Sequence, residues 1–182
     1  MKGAICAFLA AAAALTVLEA QPKDLQSVAD KSWVAYRLVH PLHVIDATSK
    51  NVQYHVELDP AKKEISKVTA QVDVTTFDSG NSNRDSHAME VVDALTYPDV
   101  QFTSTSVAQR ADSIFVAGKL TFHGVTNDVT MVGSAQWLPD ELDVKGGFDL
   151  SLTAFKVERP ALLLIPVEDK LTFTLAAAFS LK

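Results

Sequence analysis

The run Leu171-Thr172-Phe173-Thr174-Leu175-Ala176-Ala177-Ala178-Phe179-Ser180-Leu181 decides the fold class. Leu171, Phe173, Leu175, Ala177, Phe179 and Leu181 are apolar, and the residues between them are small or polar. Side chains on a strand point alternately to opposite faces, so a period of two marks a strand with one buried face. The same pattern recurs upstream. Val34, Tyr36, Leu38 and His40 share one phase, as do Val52, Tyr54, Val56 and Leu58. Val68, Ala70, Val72 and Val74 alternate with Lys67, Thr69, Gln71 and Asp73. Further runs carry Val100 and Phe102; Ile114, Val116, Leu120 and Phe122; Val129, Met131, Ala135 and Trp137; and Val144, Phe148, Leu150 and Leu152.

Turn-forming residues separate these runs: Asp59-Pro60 with Lys62-Lys63, Gln109 to Ser113, His123-Gly124 with Asn127-Asp128, and Leu138 to Glu141. Such clusters supply turn geometry directly. About eight strands at hairpin spacing predict an all-β antiparallel sandwich or closed barrel. No βαβ rhythm suggests a parallel sheet. One segment departs from period two. Ser82-Asn83-Arg84-Asp85 reads as a capping box with Ser82 as N-cap, and Ala88, Val91, Val92 and Leu95 follow helical spacing before Tyr97-Pro98. This predicts one helix over residues 83–95. The apolar stretch between Pro160 and Pro166 reads as a loop without a clear role.

The N-terminal end has a different character. Lys2 precedes an uncharged apolar run from Ala4 to Leu18, and Glu19-Ala20-Gln21-Pro22 ends it. A basic start, a short apolar run and a small residue form the pattern of a secretory signal peptide, and the run is short for a membrane span of about 20 residues. Residues 1–20 are therefore expected to be a leader cleaved after Ala20, leaving one domain over 21–182 and a periplasmic or secreted protein. Cleavage would remove Cys6, the single cysteine, so stability would rest on packing and backbone pairing. The net charge of −6 without a basic run argues against nucleic-acid binding, which needs clustered Lys and Arg.

Catalytic and metal patterns are weak. The five histidines include His40 and His43, three apart, which on one strand would point to opposite faces. No cysteine or acid stands at ligand spacing beside them, so no metal or cofactor is expected. Asp85, His87, Ser86, Ser104 and Ser106 are triad residue types, but no strained G-x-S-x-G turn presents a serine. Arg84 and Asp85 are better explained as partners of a helix start. Small residues at Ala70, Gly118, Ala135, Gly146 and Ala177 would leave room inside a barrel. Periodicity alone leaves two readings open: a solid tapered core, or a barrel that holds one small ligand.

Several motifs, taken in order, go beyond periodicity. They are Val34-x-Tyr36-x-Leu38-x-His40, then Asn81-Ser82-Asn83-Arg84-Asp85-Ser86-His87, Tyr97-Pro98 and Phe102-Thr103-Ser104. Gly118 to Thr126, Gly147-Phe148 and Val167-x-x-x-Leu171-x-Phe173 follow. In this order and spacing the chain resembles the YceI-like family across residues 30–182. The resemblance implies an eight-stranded, lipocalin-like antiparallel barrel with the helix beside it, a long interior tunnel for a polyisoprenoid or other amphiphilic chain, and export; with the weak catalytic patterns above, a carrier without catalysis is expected. It makes the apolar phase a candidate tunnel wall: Tyr36, Leu38, Val56, Phe102, Leu120, Phe122, Met131, Phe148, Leu150, Phe173 and Leu175. The chain departs from the family pattern over Pro41–Lys50, in the helix after His87, and over Leu152–Val157, where a tunnel mouth would lie. Three alternatives stay open: a small hydrolase or metal-dependent enzyme using His40, His87 or His123 with Asp85; a filled-barrel structural envelope protein; and, for assembly, a homodimer.

The leader reading has a direct check. N-terminal sequencing of native protein from an envelope fraction should begin near Gln21, and intact Met1 in a cytosolic fraction would contradict export.

Overall fold

The computed structural model describes residues 22–182; the expected leader and its cleavage point lie outside the described residues. The chain forms β1 (Lys23–Gln26), β2 (Trp33–His40), β3 (His43–Ser49), β4 (Gln53–Asp59), β5 (Glu64–Asp73), α1 (Ser82–Val91), β6 (Asp99–Arg110), β7 (Ser113–Phe122), β8 (Val125–Trp137), β9 (Glu141–Ser151), β10 (Ala161–Leu162), β11 (Ile165–Pro166) and β12 (Lys170–Ser180). Ten strands make one antiparallel sheet in the order β1-β4-β5-β6-β7-β8-β9-β12-β2-β3, and β10 pairs with β11 alone. The expected antiparallel barrel with a helix beside it is present as a curled sheet, with ten strands rather than eight.

Two strands without a clear period, β1 and β3, account for the difference. β1 has only four residues, too few for a period to show. β2 and β3 form a hairpin through Pro41-Leu42, with His40 paired to His43, and that turn carries no Gly, Asn or Asp. On β3 the exposed Val44 obscures the buried phase of Ala47 and Ser49. The hairpin also corrects the reading of the histidine pair. His40 and His43 lie on adjacent strands, not on one, and their rings face each other at 5.0 Å.

The curl follows from where the edges are tied. Between β1 and β2 the chain crosses one end of the sheet: Ser27 N–H donates to Tyr54 C=O at 2.8 Å and Val28 N–H to Ala178 C=O at 2.8 Å. The Tyr54 hydroxyl donates to Trp33 C=O at 3.1 Å, and burial pushes its phenol pKa up. The segment 27–33 thus joins β4 to β12 and β2. Below it lies one buried apolar group, with Leu58, Ile114, Val116, Leu142 and Phe179 almost wholly buried. A second buried group, including Leu120, Phe122, Leu150, Leu152, Phe155 and Leu171, lies towards the other end.

The helix runs over Ser82–Val91, shorter than the expected 83–95, and its N-cap is Asn81, not Ser82. Asn81 Oδ1 accepts from Arg84 N–H at 3.1 Å. Asp85 instead turns back to Ser79, accepting from its N–H at 3.2 Å and from its hydroxyl. Val92 ends the helix, and Leu95, expected on its apolar face, is fully exposed beyond the end while Ala94 is buried. The β7–β8 turn is His123-Gly124, both at positive φ; Asn127 and Asp128, expected in that turn, are in β8.

Ala135 is buried in the core. Ala135→Phe should overpack it and cost about 1–3 kcal/mol, read as a lower urea midpoint with an unchanged slope.

Candidate functional site

β12 is the spine of the site, because it is laddered on both sides. Leu171 stands between Leu38 and Leu150, Phe173 between Tyr36 and Phe148, and Leu175 between Val34 and Gly146. Each row crosses three strands with its apolar side chains on one face. The rings of Phe148 and Phe173 stack at 5.0 Å, and Tyr36 meets Phe173 edge-on at 6.3 Å. Such cross-strand pairs add to sheet stability beyond simple burial.

These rows line a cavity of about 230 Å³ inside the curl. An apolar void of roughly 150 Å³ already takes a benzene-sized guest, so this space exceeds a packing defect. All eleven residues of the candidate wall, from Tyr36 to Leu175, lie along it. Among the small residues expected to make room, Ala70 and Ala177 are on the wall. Gly118, Gly146 and Ala135 correct that expectation. A β-carbon at Gly118 would come within 2.6 Å of the Phe102 ring, and one at Gly146 would overlap the Met131 thioether. Those glycines seat large side chains against the sheet, and Ala135 packs in the core without reaching the cavity.

The sequence did not single out part of the wall. Ile45 on β3, Phe77, Pro160, and Ala88, Met89, Val91 and Val92 around α1 also line it. Helical spacing pointed to Ala88, Val91 and Val92 as a packing face; nothing local marked Ile45 or Pro160. α1 buries no residue completely, so it lies as a cover over the cavity rather than as part of a solid core.

Polar groups gather at the helix. Arg84, Asp85 and His87 of α1 line the cavity, as does Gln71 on β5, and Arg84 and Asp85 are near enough to act on the Tyr36 phenol. Arg84 donates from Nε to Ser79 Oγ at 2.8 Å and from a terminal nitrogen to Ser79 C=O at 2.6 Å. With Asp85 also on Ser79, the pair clamps the loop before the helix, as expected for partners of a helix start. Burial, then the negative Asp85 carboxylate, raise the Tyr36 pKa, so its hydroxyl stays neutral and can both donate and accept.

The catalytic candidates do not converge. Asp85 is held by Ser79, whereas His87 Nδ1 lies 3.7 Å from Glu90. Ser104 Oγ accepts from Val68 N–H at 2.9 Å, and Ser86 is exposed. His123 Nδ1 donates to Phe155 C=O at 3.1 Å. His40 is buried with both nitrogens engaged: Nδ1 accepts from Leu42 N–H at 3.1 Å and Nε2 donates to Ile165 C=O at 2.9 Å.

Comparison with known proteins agrees with this geometry. The YceI-like domain matches residues 27–179. A UPF0312 protein of Pseudomonas putida (strain F1) is 30% identical over 138 residues, covering 71% of this chain and 69% of that protein. Among solved structures, BcnA of Burkholderia cenocepacia superposes with a TM-score of 0.75 at 23% identity, covering 84% of this chain and 98% of that one. A polyisoprenoid binding domain from Saccharophagus degradans, implicated in plant cell wall breakdown, gives 0.69 at 11% identity, covering 88% and 99%. At these identities the structural likenesses establish the fold, and the domain match establishes the relationship: the chain belongs to the YceI-like family.

Proposed function

We propose that the protein is an exported, non-catalytic binder or carrier of a long-chain apolar ligand, a polyisoprenoid, an isoprenoid quinone precursor or a similar lipid. One observation carries the reading: the curled sheet encloses a cavity whose wall is predominantly apolar, with Arg84, Asp85 and His87 on α1 and Gln71 on β5 among its few polar residues. Burying apolar area contributes about 25 cal/mol per Å² before ordering costs. A chain lying along Phe102, Met131, Phe148, Phe173 and Leu175 draws its affinity from this source. The Tyr36 hydroxyl, Arg84, Asp85 and His87 give a polar end of the ligand somewhere to face.

The polyisoprenoid binding of the Saccharophagus degradans domain supports this class of ligand. The pattern of residues 1–20 supports export to the periplasm or the medium. The engagement of Asp85 by Ser79, of His87 by Glu90 and of Ser104 by Val68 N–H supports a binder over a hydrolase.

Affinity of this kind depends on size and shape. Ala177 is on the wall, so Ala177→Phe should fill the cavity. Protein purified without detergent should lose its extractable lipid by mass spectrometry while keeping a folded β-sheet spectrum. Full lipid content in a folded Ala177→Phe protein would contradict an interior site. Phe173→Ala should lower stability by about 3–5 kcal/mol, because it opens a void at the centre of the spine, and should weaken lipid retention with it.

A further inference from the structure

Two hairpin tips meet beside the cavity, and both are apolar. The first is the β2–β3 turn, with Leu42 60% and Val44 50% exposed. The second is the β10–β11 hairpin, where Leu162 pairs with Ile165 across Leu163-Leu164. Leu163 is 76% exposed and Leu164 97%. The buried His40 ring joins the tips, touching Leu42 N–H on one and Ile165 C=O on the other.

Folding does not account for this turn. Leu163 has φ 53° and Leu164 φ 66°, the left-handed region at both central positions of a two-residue hairpin loop. Such loops favour Asn-Gly, because a side chain with a β-carbon is strained there. Leucine therefore costs stability at both positions and, being exposed, gains nothing from burial in return. Strain of this kind persists where function holds it, and exposed apolar patches mark docking sites.

We propose that these tips dock the protein on a lipid bilayer. Their connection to the cavity favours a membrane. Pro160, at the base of the β10–β11 hairpin, and Ile45, just behind the β2–β3 turn, both line the cavity wall. A chain leaving the bilayer at the tips has Pro160 and Ile45 of the cavity wall next to it. A second protein copy fits less well, since a stable interface needs about 800 Å² and 20–30 residues per partner, and the tips offer six apolar side chains on two narrow turns. This inference rests on the reading that the cavity takes a lipid, but bilayer docking is measured independently of cavity content.

The test compares the purified protein with the double variant Leu163→Asn, Leu164→Gly, matched at the N-terminus, in flotation with phosphatidylethanolamine–phosphatidylglycerol vesicles. The variant supplies the residues the turn geometry prefers, so its Tm should rise by about 2–4 °C or more. Its vesicle-bound fraction should nevertheless fall at least about tenfold, with lipid content by native mass spectrometry unchanged. Parent protein that stays unbound, or a variant that floats equally well, overturns the proposal. So does a vesicle-free dimer of the parent that the variant abolishes, which would assign the tips to a second copy. Bilayer docking with an empty cavity would leave docking standing and remove the lipid-binding reading instead.

Discussion

The structure depends on one wide antiparallel ladder that must bury a single face. A ten-stranded sheet with one apolar phase cannot lie flat in water, because half its side chains would remain exposed. The right-handed twist of strands bends it, and the curl puts the apolar phase inside. Hydrogen bonds from the segment 27–33 to Tyr54 and Ala178 fix the curl at one end. β12 holds the middle, because its rows through Leu171, Phe173 and Leu175 are continued on both neighbouring strands. Remove that continuity and neither the buried face nor the space inside it survives.

A curled sheet of this size can fill itself, and in part it does: Leu58, Ala135 and Leu142 are buried in the core without reaching the cavity. Further along, the large side chains are set aside. The Phe102 ring occupies the place of a side chain at Gly118, and the Met131 thioether that at Gly146. Both large groups lie back against the sheet and leave the axis clear. Ala70 and Ala177 add nothing that would close it. The cavity is thus a consequence of residue choice at a few paired positions, and it lies where the helix, not another strand, forms the cover.

Much of this was legible from the sequence. Period two gave the long strands and the apolar phase, because one rule decides which face each side chain takes; the family resemblance, which closes those strands into one barrel, made that phase a wall. Features set by tertiary contact were not legible. β3 was missed because Val44 faces solvent and Pro41-Leu42 is an unusual turn. The helix start was misplaced by one residue because Asp85 bonds to Ser79 instead of closing a capping box. Gly118 and Gly146 look like space in a sequence and are occupied in the fold. The stretch Pro160–Pro166 gave no sign of a strained hairpin, since nothing local predicts leucine at two left-handed positions.

The central claim is that the interior is a binding volume and not a core with slack in it. A crystal structure of the protein purified without detergent or added lipid tests it most directly. The account predicts continuous electron density for a chain along Phe173, Leu175 and Met131, running towards Tyr36 and the helix. An empty interior that has collapsed, with Phe148 and Phe173 turned in to fill it, would contradict the account.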